Sequence, residues 1–328
     1  MSANPSAAGY NGGYVHDPEG ARRFVASLSH GGTLTQAAPD WLGDGDGQDL
    51  MPYLAWYEVP ILNGDGTVWK PAGVEPPYIG QVGNNCTSRG DTACMDLLQC
   101  VDAATRDPGE ADEPVCYRTA CEATYAFSLK EANMRGDNGC TGYHTAKSSY
   151  TIGRLSYKHL DGPDEEDATR LRQWANNPAA IVQKYGPAAA QYKLQEPVQI
   201  KTTQEARAWL ANRGVITVAS GVGFTMERDA RGLCEASGTW MHQMAIVGFL
   251  CSDGTPSFVI AQSWGPNVPK GPTPFRLPSF CFRARESVVQ KMLDWDDSFG
   301  HRLGSFKGFE RRPLPDRWKG IDWSGGAS

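Results

Sequence analysis

The stretch Gly238-Thr-Trp-Met-His242-Gln-Met-Ala-Ile-Val-Gly-Phe249 decides the fold of this chain. It places a histidine at the mouth of an apolar run, Met244 to Leu250, that predicts a buried strand. After a short turn, a second apolar run from Ser257 to Ala261 leads into Gln262-Ser263-Trp264-Gly265. Two strands joined by a short turn lie side by side, so we expect Gln262 near His242 at the same end of a hairpin.

A histidine next to an amide that can orient its ring is half of a nucleophilic site. The candidate for the other half is Cys86, in the stretch Gly80-Gln-Val-Gly-Asn-Asn-Cys86-Thr-Ser-Arg-Gly90, ahead of a helical pattern from Asp91 to about Thr105. The positive end of a helix lowers the pKa of a thiol and favours the reactive thiolate. The alternative is that Cys86 is an ordinary core thiol. Its polar, glycine-rich surroundings weigh against that alternative, because core cysteines such as Cys94 lie in apolar runs.

Composition limits the classes of function. The chain has 328 residues, enough for one large or two small domains, with 40% hydrophobic and 21% charged residues. A net charge of -6 argues against a nucleic-acid partner, because a basic surface that could neutralise phosphates is not indicated. There is no apolar run of 18 residues, so no membrane span is expected. The polar first 20 residues do not resemble a signal peptide, which favours a cytoplasmic or virion-associated location.

The cysteines and acidic residues do not predict a metal or cofactor. Nine cysteines are present, an odd number, and no two of them form a C-x-x-C pair. The segment Gly43 to Asp49 resembles a calcium loop, but Ala55 stands where such a loop has its twelfth, acidic ligand, so we interpret it as a turn. Four further histidines lack a partner pattern, namely His16, His30, His159 and His301.

The order of the expected elements, helices early and strands late, predicts an α+β fold. Thr202 and Glu205 have the spacing of a capping box, and Val215 to Ala219 forms a β-branched strand. Between that strand and the His242 strand we expect a long loop. The expected helices span 18–29, 113–134, 144–152, 164–176, 206–212 and 286–294, and the expected loop spans 221–238.

Four segments together resemble the papain-like cysteine peptidase superfamily, over residues 75–270. They are Gln81 before Cys86, Gly139-Cys-Thr-Gly142, the His242 strand, and Gln262-Ser-Trp-Gly265. The chain also resembles a divergent branch of these proteins found in bacteriophage and environmental genomes. The resemblance implies a papain-like domain over 75–270, with an N-terminal arm and extension over 1–74. It further implies a C-terminal extension over 271–328 that packs on the same domain.

The resemblance also implies a role for each site residue. Cys86 would attack a carbonyl carbon, and His242 would hold it as a thiolate and protonate the leaving amine. Gln262 would orient the imidazole, and Gln81 would help to stabilise the oxyanion. Trp264 would shield the His242–Gln262 bond, with Ser263 and Gly265 as supporting residues.

The sequence departs from the pattern of the family at several positions. Gln262 stands in place of the usual Asn, Thr87 in place of a Trp, and Gln81 lies one residue nearer to the cysteine than usual. Two hypotheses therefore remain open: a thiol hydrolase, peptidase or amidase, acting on a peptide or amide substrate, and a papain-like scaffold in a bacteriophage virion. The second hypothesis implies contacts with neighbouring virion proteins, and a homo-oligomer is possible in either case. A third, a transglutaminase-like acyl transferase, shares the Cys–His chemistry but usually has Asp as its third residue.

Overall fold

The computed structural model describes residues 13–76, 80–106, 116–162, 166–304 and 309–320. Its helices are α1 (Pro18–Ala26), α2 (Leu34–Ala37), α3 (Ala55–Glu58), α4 (Cys86–Thr105), α5 (Cys121–Glu131), α6 (Gly142–Thr151), α7 (Ala168–Asn176), α8 (Pro178–Ala189), α9 (Thr203–Ala211) and α10 (Glu286–Leu293). Its strands are β1 (Ile61–Leu62), β2 (Val68–Lys70), β3 (Cys116–Tyr117), β4 (Val198–Gln199), β5 (Val215–Phe224), β6 (Ala236–Leu250), β7 (Ser257–Ala261), β8 (Cys281–Arg285) and β9 (Ser298–His301). The predicted α+β class, a helical half and an antiparallel sheet half, is confirmed.

Within these ranges, six strands form one sheet in the order β4-β9-β5-β6-β7-β8, and all neighbouring strands are antiparallel. The centre is the β5–β6 hairpin, which pairs Ile216 with Ile246 and Ser220 with His242. Every residue of β7 and nearly all of β5 is buried, which explains their continuous apolar and β-branched sequences. The predicted β6–β7 hairpin is confirmed, with Ala245 opposite Ala261.

The helix that carries Cys86, α4, packs directly on β6. Gly90 makes the close approach possible, because a Cβ atom there would lie 3.1 Å from Gln243 Cγ and 3.2 Å from the Met244 carbonyl oxygen. At this crossing the amide of Gln243 donates to the Thr87 carbonyl oxygen at 2.8 Å. The first turn of α4 is thereby fixed against the strand residue that follows His242.

The helical half packs on the opposite side of α4. Its centre is the buried guanidinium of Arg154, which donates to the Asp91 carboxylate at 2.5 Å and also to Ser149 Oγ. Ser149 in turn donates to Asp91 at 3.0 Å. A buried charge pair with its remaining donors and acceptors satisfied fixes the position of α4 relative to α6.

Some predicted boundaries were wrong. The first turn of α4 begins at Cys86 rather than Asp91, because Asn85 leaves the helical conformation and serves as its N-cap residue. The helix predicted over 113–134 covers only Cys121–Glu131. Cys116 and Tyr117 instead form β3, a strand parallel to β1, and residues 113–115 lie outside the described part of the chain.

The loop predicted over 221–238 is also too long, because β5 continues to Phe224 and β6 already begins at Ala236. The capping box at Thr202 and Glu205 is confirmed. The helix predicted from residue 164 begins at Ala168 with Asp167 as its N-cap, while residues 163–165 lie outside the described ranges. The domain boundaries at residues 74 and 270 stay a prediction, although β8, α10 and β9, all beyond residue 270, belong to the same sheet half.

Candidate functional site

Cys86 is the first residue of α4 and is completely buried. The backbone N–H of Gln243, the residue after His242 in β6, lies next to its thiol. Helix α4 and strand β6 therefore bring together the two segments that the sequence nominates. Burial raises the pKa of the Cys86 thiol to about 12, and the Gln243 N–H opposes that effect only in part.

His242 is also fully buried, and its ring stacks on the indole of Trp264 with centroids 4.4 Å apart and planes at 28°. Trp240 meets the same indole edge-on at 4.4 Å. The Trp264 indole thus covers one face of the imidazole, and the predicted shielding of a His242–Gln262 bond stays a prediction. Such a stack fixes the plane of the ring and leaves its two nitrogens to be set by their polar neighbours.

A chain of polar contacts joins His242 to Gln81 through Ser263. Ser263 Oγ lies 3.5 Å from His242 Nε2 and donates to Gln81 Oε1 at 3.0 Å, while Gln81 Nε2 donates to the Gly83 carbonyl oxygen at 3.0 Å. Because the only hydroxyl proton of Ser263 points to Gln81, its oxygen can only accept from Nε2–H. That arrangement favours the tautomer with the proton on Nε2, which leaves Nδ1 as the basic nitrogen of the ring.

Gln262 lies at the end of β7, as predicted, but its amide serves the following turn. Its Oε1 accepts from the Trp264 backbone N–H, and its Nε2 donates to the carbonyl oxygens of Gly265, at 3.2 Å, and Val268. In this conformation Gln262 holds the turn that carries Trp264. The hydroxyl beside Nε2 belongs to Ser263, which sequence reasoning placed only in a supporting role.

A short N-terminal segment, Gly13 to His16, covers Cys86; we call it the arm. Cys140 exchanges two hydrogen bonds with it, from Cys140 N to Gly13 O and from Val15 N to Cys140 O, both at 2.9 Å. Tyr14 N also donates to the Met241 carbonyl oxygen at 3.4 Å. The arm is therefore bound by main-chain atoms on both sides of Cys86.

Two glycines allow the arm to approach so closely. Gly13 and Gly139 both have positive φ, +71° and +87°. A Cβ atom on Gly13 would lie 2.1 Å from the Asn84 carbonyl oxygen, and one on Gly139 would lie 2.3 Å from the Gly13 carbonyl oxygen. The Gly139-Cys-Thr-Gly142 turn noted in the sequence therefore provides the surface on which the arm lies.

The side chain of Tyr14 seals the site. It is 5% exposed and packs in one apolar cluster with Cys86 and Ala219, bordered by Met241 and Trp295. Its hydroxyl lies 2.9 Å from Nδ1 of His16, whose ring lies against Trp295 with centroids 4.7 Å apart. These contacts explain why Cys86 has no exposed surface despite lying at the start of a helix.

An ion pair between Arg89 and Glu166 lies behind the first turn of α4, and Glu166 also accepts from Asn85 Nδ2 at 2.7 Å. The sequence predicted a helix from residue 164, but Glu166 precedes α7, and its buried carboxylate holds the N-cap residue of the Cys86 helix. It also places a negative charge at the positive end of that helix.

A groove of about 760 Å³ opens between the ends of β5 and β6 and the turn after Trp264. Its lining includes Phe224, Met226, Glu227, Trp240, Val268 and Lys270. Because Trp240 contacts Trp264, the groove begins beside the His242 side of the site. It is large enough to hold several residues of an extended peptide.

Within the described ranges, no three His, Cys, Asp or Glu side chains are grouped as a metal site would require. None of the described helices is long and apolar enough to cross a bilayer. Each of the nine cysteines, all of them in the described ranges, is a free thiol.

Neither the protein-family models nor the curated proteins contain a match to this chain. Among solved structures it is similar to xylellain, a cysteine protease from Xylella fastidiosa, at 13% identity and a TM-score of 0.48, covering 94% of both chains. It is also similar to digestive procathepsin L 3 of Tenebrio molitor, at 10% identity and a TM-score of 0.47, covering 86% of this chain and 78% of that one. A third is proCathepsin B S9 from Trypanosoma congolense, at 10% identity and a TM-score of 0.42, covering 69% and 71%. At such identities the likeness concerns the course of the chain and not its chemistry.

Proposed function

We propose that the chain is a thiol hydrolase, a peptidase or amidase, in a closed state in which the arm covers the nucleophile. The observation that carries the proposal is the convergence of Cys86, at the start of α4, with the buried His242–Ser263–Gln81 chain of contacts on β6 and the turn after β7. A general base needs a polar neighbour that sets its tautomer, and this chain of contacts supplies one.

In the open state, His242 Nδ1 takes the proton of the Cys86 thiol, and the thiolate attacks the carbonyl carbon of the substrate. The backbone N–H of Cys86, at the N-terminus of α4, stabilises the oxyanion. Gln81 is a second donor once its Nε2 turns from the Gly83 carbonyl oxygen, its present acceptor. The imidazolium then protonates the leaving amine as the C–N bond breaks, and a water molecule hydrolyses the thioester with His242 as the base.

The arm has to leave before this chemistry starts, because it fills the space that a substrate carbonyl would occupy next to the thiol. Burial under the arm also keeps Cys86 protonated at neutral pH. Opening restores water and removes the cause of the high pKa. The imidazole and the positive end of α4 can then stabilise a thiolate.

The test is the pH dependence of Cys86 alkylation by iodoacetamide, read by peptide mass, in the full-length Tyr14→Ala chain with and without His242→Ala. A thiolate–imidazolium pair predicts fast alkylation down to about pH 5, lost when His242 is replaced. Ordinary thiol behaviour near pH 8.5, unaffected by His242, would contradict the proposal. Cys251, a partly exposed thiol directly after the end of β6, is the internal reference.

The second candidate is a scaffold without activity. The burial of Cys86 and the engagement of the Gln262 amide in its own turn favour it. In that case iodoacetamide should modify the cysteines in the order of their exposure, with Cys251 first. A bacteriophage origin and a place in a virion stay predictions from the sequence.

A further inference from the structure

The side chain of Tyr14 occupies a defined pocket next to Cys86, and the floor of that pocket is a carboxylate. Ala219, Met241 and Trp295 form apolar walls around the phenol ring, and the Trp295 and Tyr14 ring centroids lie 6.5 Å apart. Asp297, only 1% exposed, lies beside the Tyr14 hydroxyl at the inner end. An apolar sleeve that ends in a buried carboxylate is a built binding site for one kind of side chain.

The two oxygens of Asp297 have different surroundings. Oδ2 accepts from the backbone N–H of Gly142, at the start of α6, at 2.8 Å. Oδ1 is buried and lacks a hydrogen-bond partner of good geometry among the described residues, although the Tyr14 hydroxyl lies beside it. That hydroxyl makes its hydrogen bond at 2.9 Å with His16 instead. One oxygen therefore fixes the helix start, and the other remains available at the floor of the pocket.

We propose that, once the arm is displaced, this pocket binds a tyrosine side chain of the substrate, and that Asp297 is the residue that determines this specificity. The inference rests on the proposed function, because it concerns the substrate of the same cysteine. The arm removes Tyr14 and His16 together when it leaves. The apolar walls of the pocket then remain, together with Asp297 Oδ1 as a hydrogen-bond acceptor that needs a donor.

The chemistry of the pocket selects a phenol over its nearest relatives. A phenylalanine side chain fits the same walls but leaves Oδ1 buried without a donor, which a hydroxyl-bearing ring avoids. A lysine side chain could pair its ammonium group with the carboxylate, but its flexible aliphatic chain would fill the space of the ring less completely and would lose more conformational freedom on binding. A tyrosine side chain satisfies both the walls and the floor.

The main chain around the pocket suits a peptide. Tyr14 N donates to the Met241 carbonyl oxygen, and the neighbouring atoms of Cys140 pair with Gly13 and Val15. A substrate residue with its side chain in the pocket can use the same main-chain partners. Because the Tyr14 ring packs on Cys86, that residue lies within one or two positions of the bond to be cleaved.

The experiment uses the full-length Tyr14→Ala chain at pH 8 and short peptidyl chloromethyl ketones that alkylate Cys86. Two probe series carry the variable residue one or two positions before the ketone, and that residue is Tyr, Phe or Lys. In the series whose variable residue reaches the pocket, we expect the Tyr probe to react about ten- to a hundred-fold faster than the Phe probe, because only the Tyr probe donates a hydrogen bond to Asp297 Oδ1. The Lys probe should be slower than the Tyr probe.

Asp297→Asn is the matched variant, because its amide oxygen can still accept from Gly142 N–H while its NH₂ group faces the pocket. We expect the Tyr-to-Phe ratio to fall at least several-fold in this variant, because a hydrogen bond from the phenol to a carboxylate is replaced by a weaker one with a neutral amide, while the iodoacetamide rate of Cys86 stays unchanged. A merely structural role of Asp297 would alter both probes and iodoacetamide alike. Three results would each overturn the inference. They are equal Tyr and Phe rates in the chain that keeps Asp297, a Tyr-to-Phe ratio that Asp297→Asn leaves unchanged, and a Lys probe that reacts faster than the Tyr probe.

The iodoacetamide control distinguishes a failure of the proposed tyrosine specificity from a failure of the proposed thiol hydrolase function. Fast, His242-dependent alkylation together with equal Tyr and Phe rates overturns only the specificity. Slow alkylation that ignores His242 overturns the thiol hydrolase itself, and the specificity with it.

Discussion

Replacing Tyr14 by Ala should open the site, and the size of the effect can be worked out from its contacts. The closed thiol is unreactive, because a pKa raised from 9.0 to about 12 lowers its thiolate fraction at neutral pH by about a thousand-fold, apart from the steric cover. Alkylation of Cys86 therefore proceeds through the open state. Burying an aromatic side chain as completely as Tyr14, 5% exposed, contributes about 2 kcal/mol to holding the arm closed. Its loss should raise the open fraction, and with it the alkylation rate, about thirty-fold.

The assay is the rate of iodoacetamide incorporation at Cys86 at pH 7.5, read by peptide mass against Cys251 in the same sample. Tyr14→Phe is the matched control, since it keeps the ring in its apolar pocket and loses only the hydrogen bond of the hydroxyl to His16, so its rate should rise by about tenfold at most and less than that of Tyr14→Ala. A Tyr14→Ala rate within threefold of the original would show that the arm does not control access. An equal rise at Cys251 would instead indicate general loosening of the fold.

Three further predictions follow from buried polar groups. Ser263→Ala removes the acceptor of His242 Nε2, so hydrolysis should slow about tenfold or more while Ser263→Thr restores it, as steady-state kinetics would show. Burial lowers the pKa of His301 from 6.5 to about 4, so the fold should lose up to about 3 kcal/mol of stability as the pH falls from 6.5 to 4. Urea unfolding at several pH values should show that the free energy of unfolding depends less on pH in His301→Gln. Arg154→Met leaves Asp91 buried without its cation and should destabilise the fold by about 3–5 kcal/mol in urea unfolding, part of which a second change, Asp91→Asn, should recover.

The sheet half could be predicted well because its signals are local and strong. The runs ending at Leu250 and Ala261 are apolar throughout, and the structure buries nearly all of them. The capping box at Thr202 requires only two side chains three residues apart. In both cases the residues that determine the local structure lie within the segment itself, so its sequence alone predicts the strand or the helix start.

Elements that depend on distant partners were harder to predict. Cys116 and Tyr117 form a strand because β1 lies beside them, although their spacing fits a helix. Helix α8 contains Gly186 and Pro187, which argue against a helix, yet Tyr185 and Ala189 pack into the same cluster as Phe127 of α5. Tertiary packing outweighs local preference in both places.

In the candidate site, too, some residues could be predicted from local sequence and others depend on distant partners. Cys86, His242 and Trp264 could be nominated from motifs, but the position of Ser263 beside the imidazole depends on how the turn after β7 bends. A sequence gives residue order, and the direction of two successive side chains in an irregular turn is fixed only by their neighbours. The binding of the arm was equally hidden, because it relies on main-chain atoms of Gly13, Tyr14 and Val15, which every sequence possesses.

That main-chain attachment has a quantitative consequence for competition. A tethered segment acts as if present at about millimolar concentration, so a peptide with equal contacts has to reach that level to displace half of it. A break in the backbone between His16 and Pro18 would leave each hydrogen bond of the arm intact, yet it would turn the arm into a free peptide. If the cut arm binds its site weakly, then at micromolar protein concentration dilution alone would lower the occupancy of that site about a thousand-fold relative to the tethered arm. The covalent connection to α1, rather than any one contact, sets how firmly Cys86 stays covered.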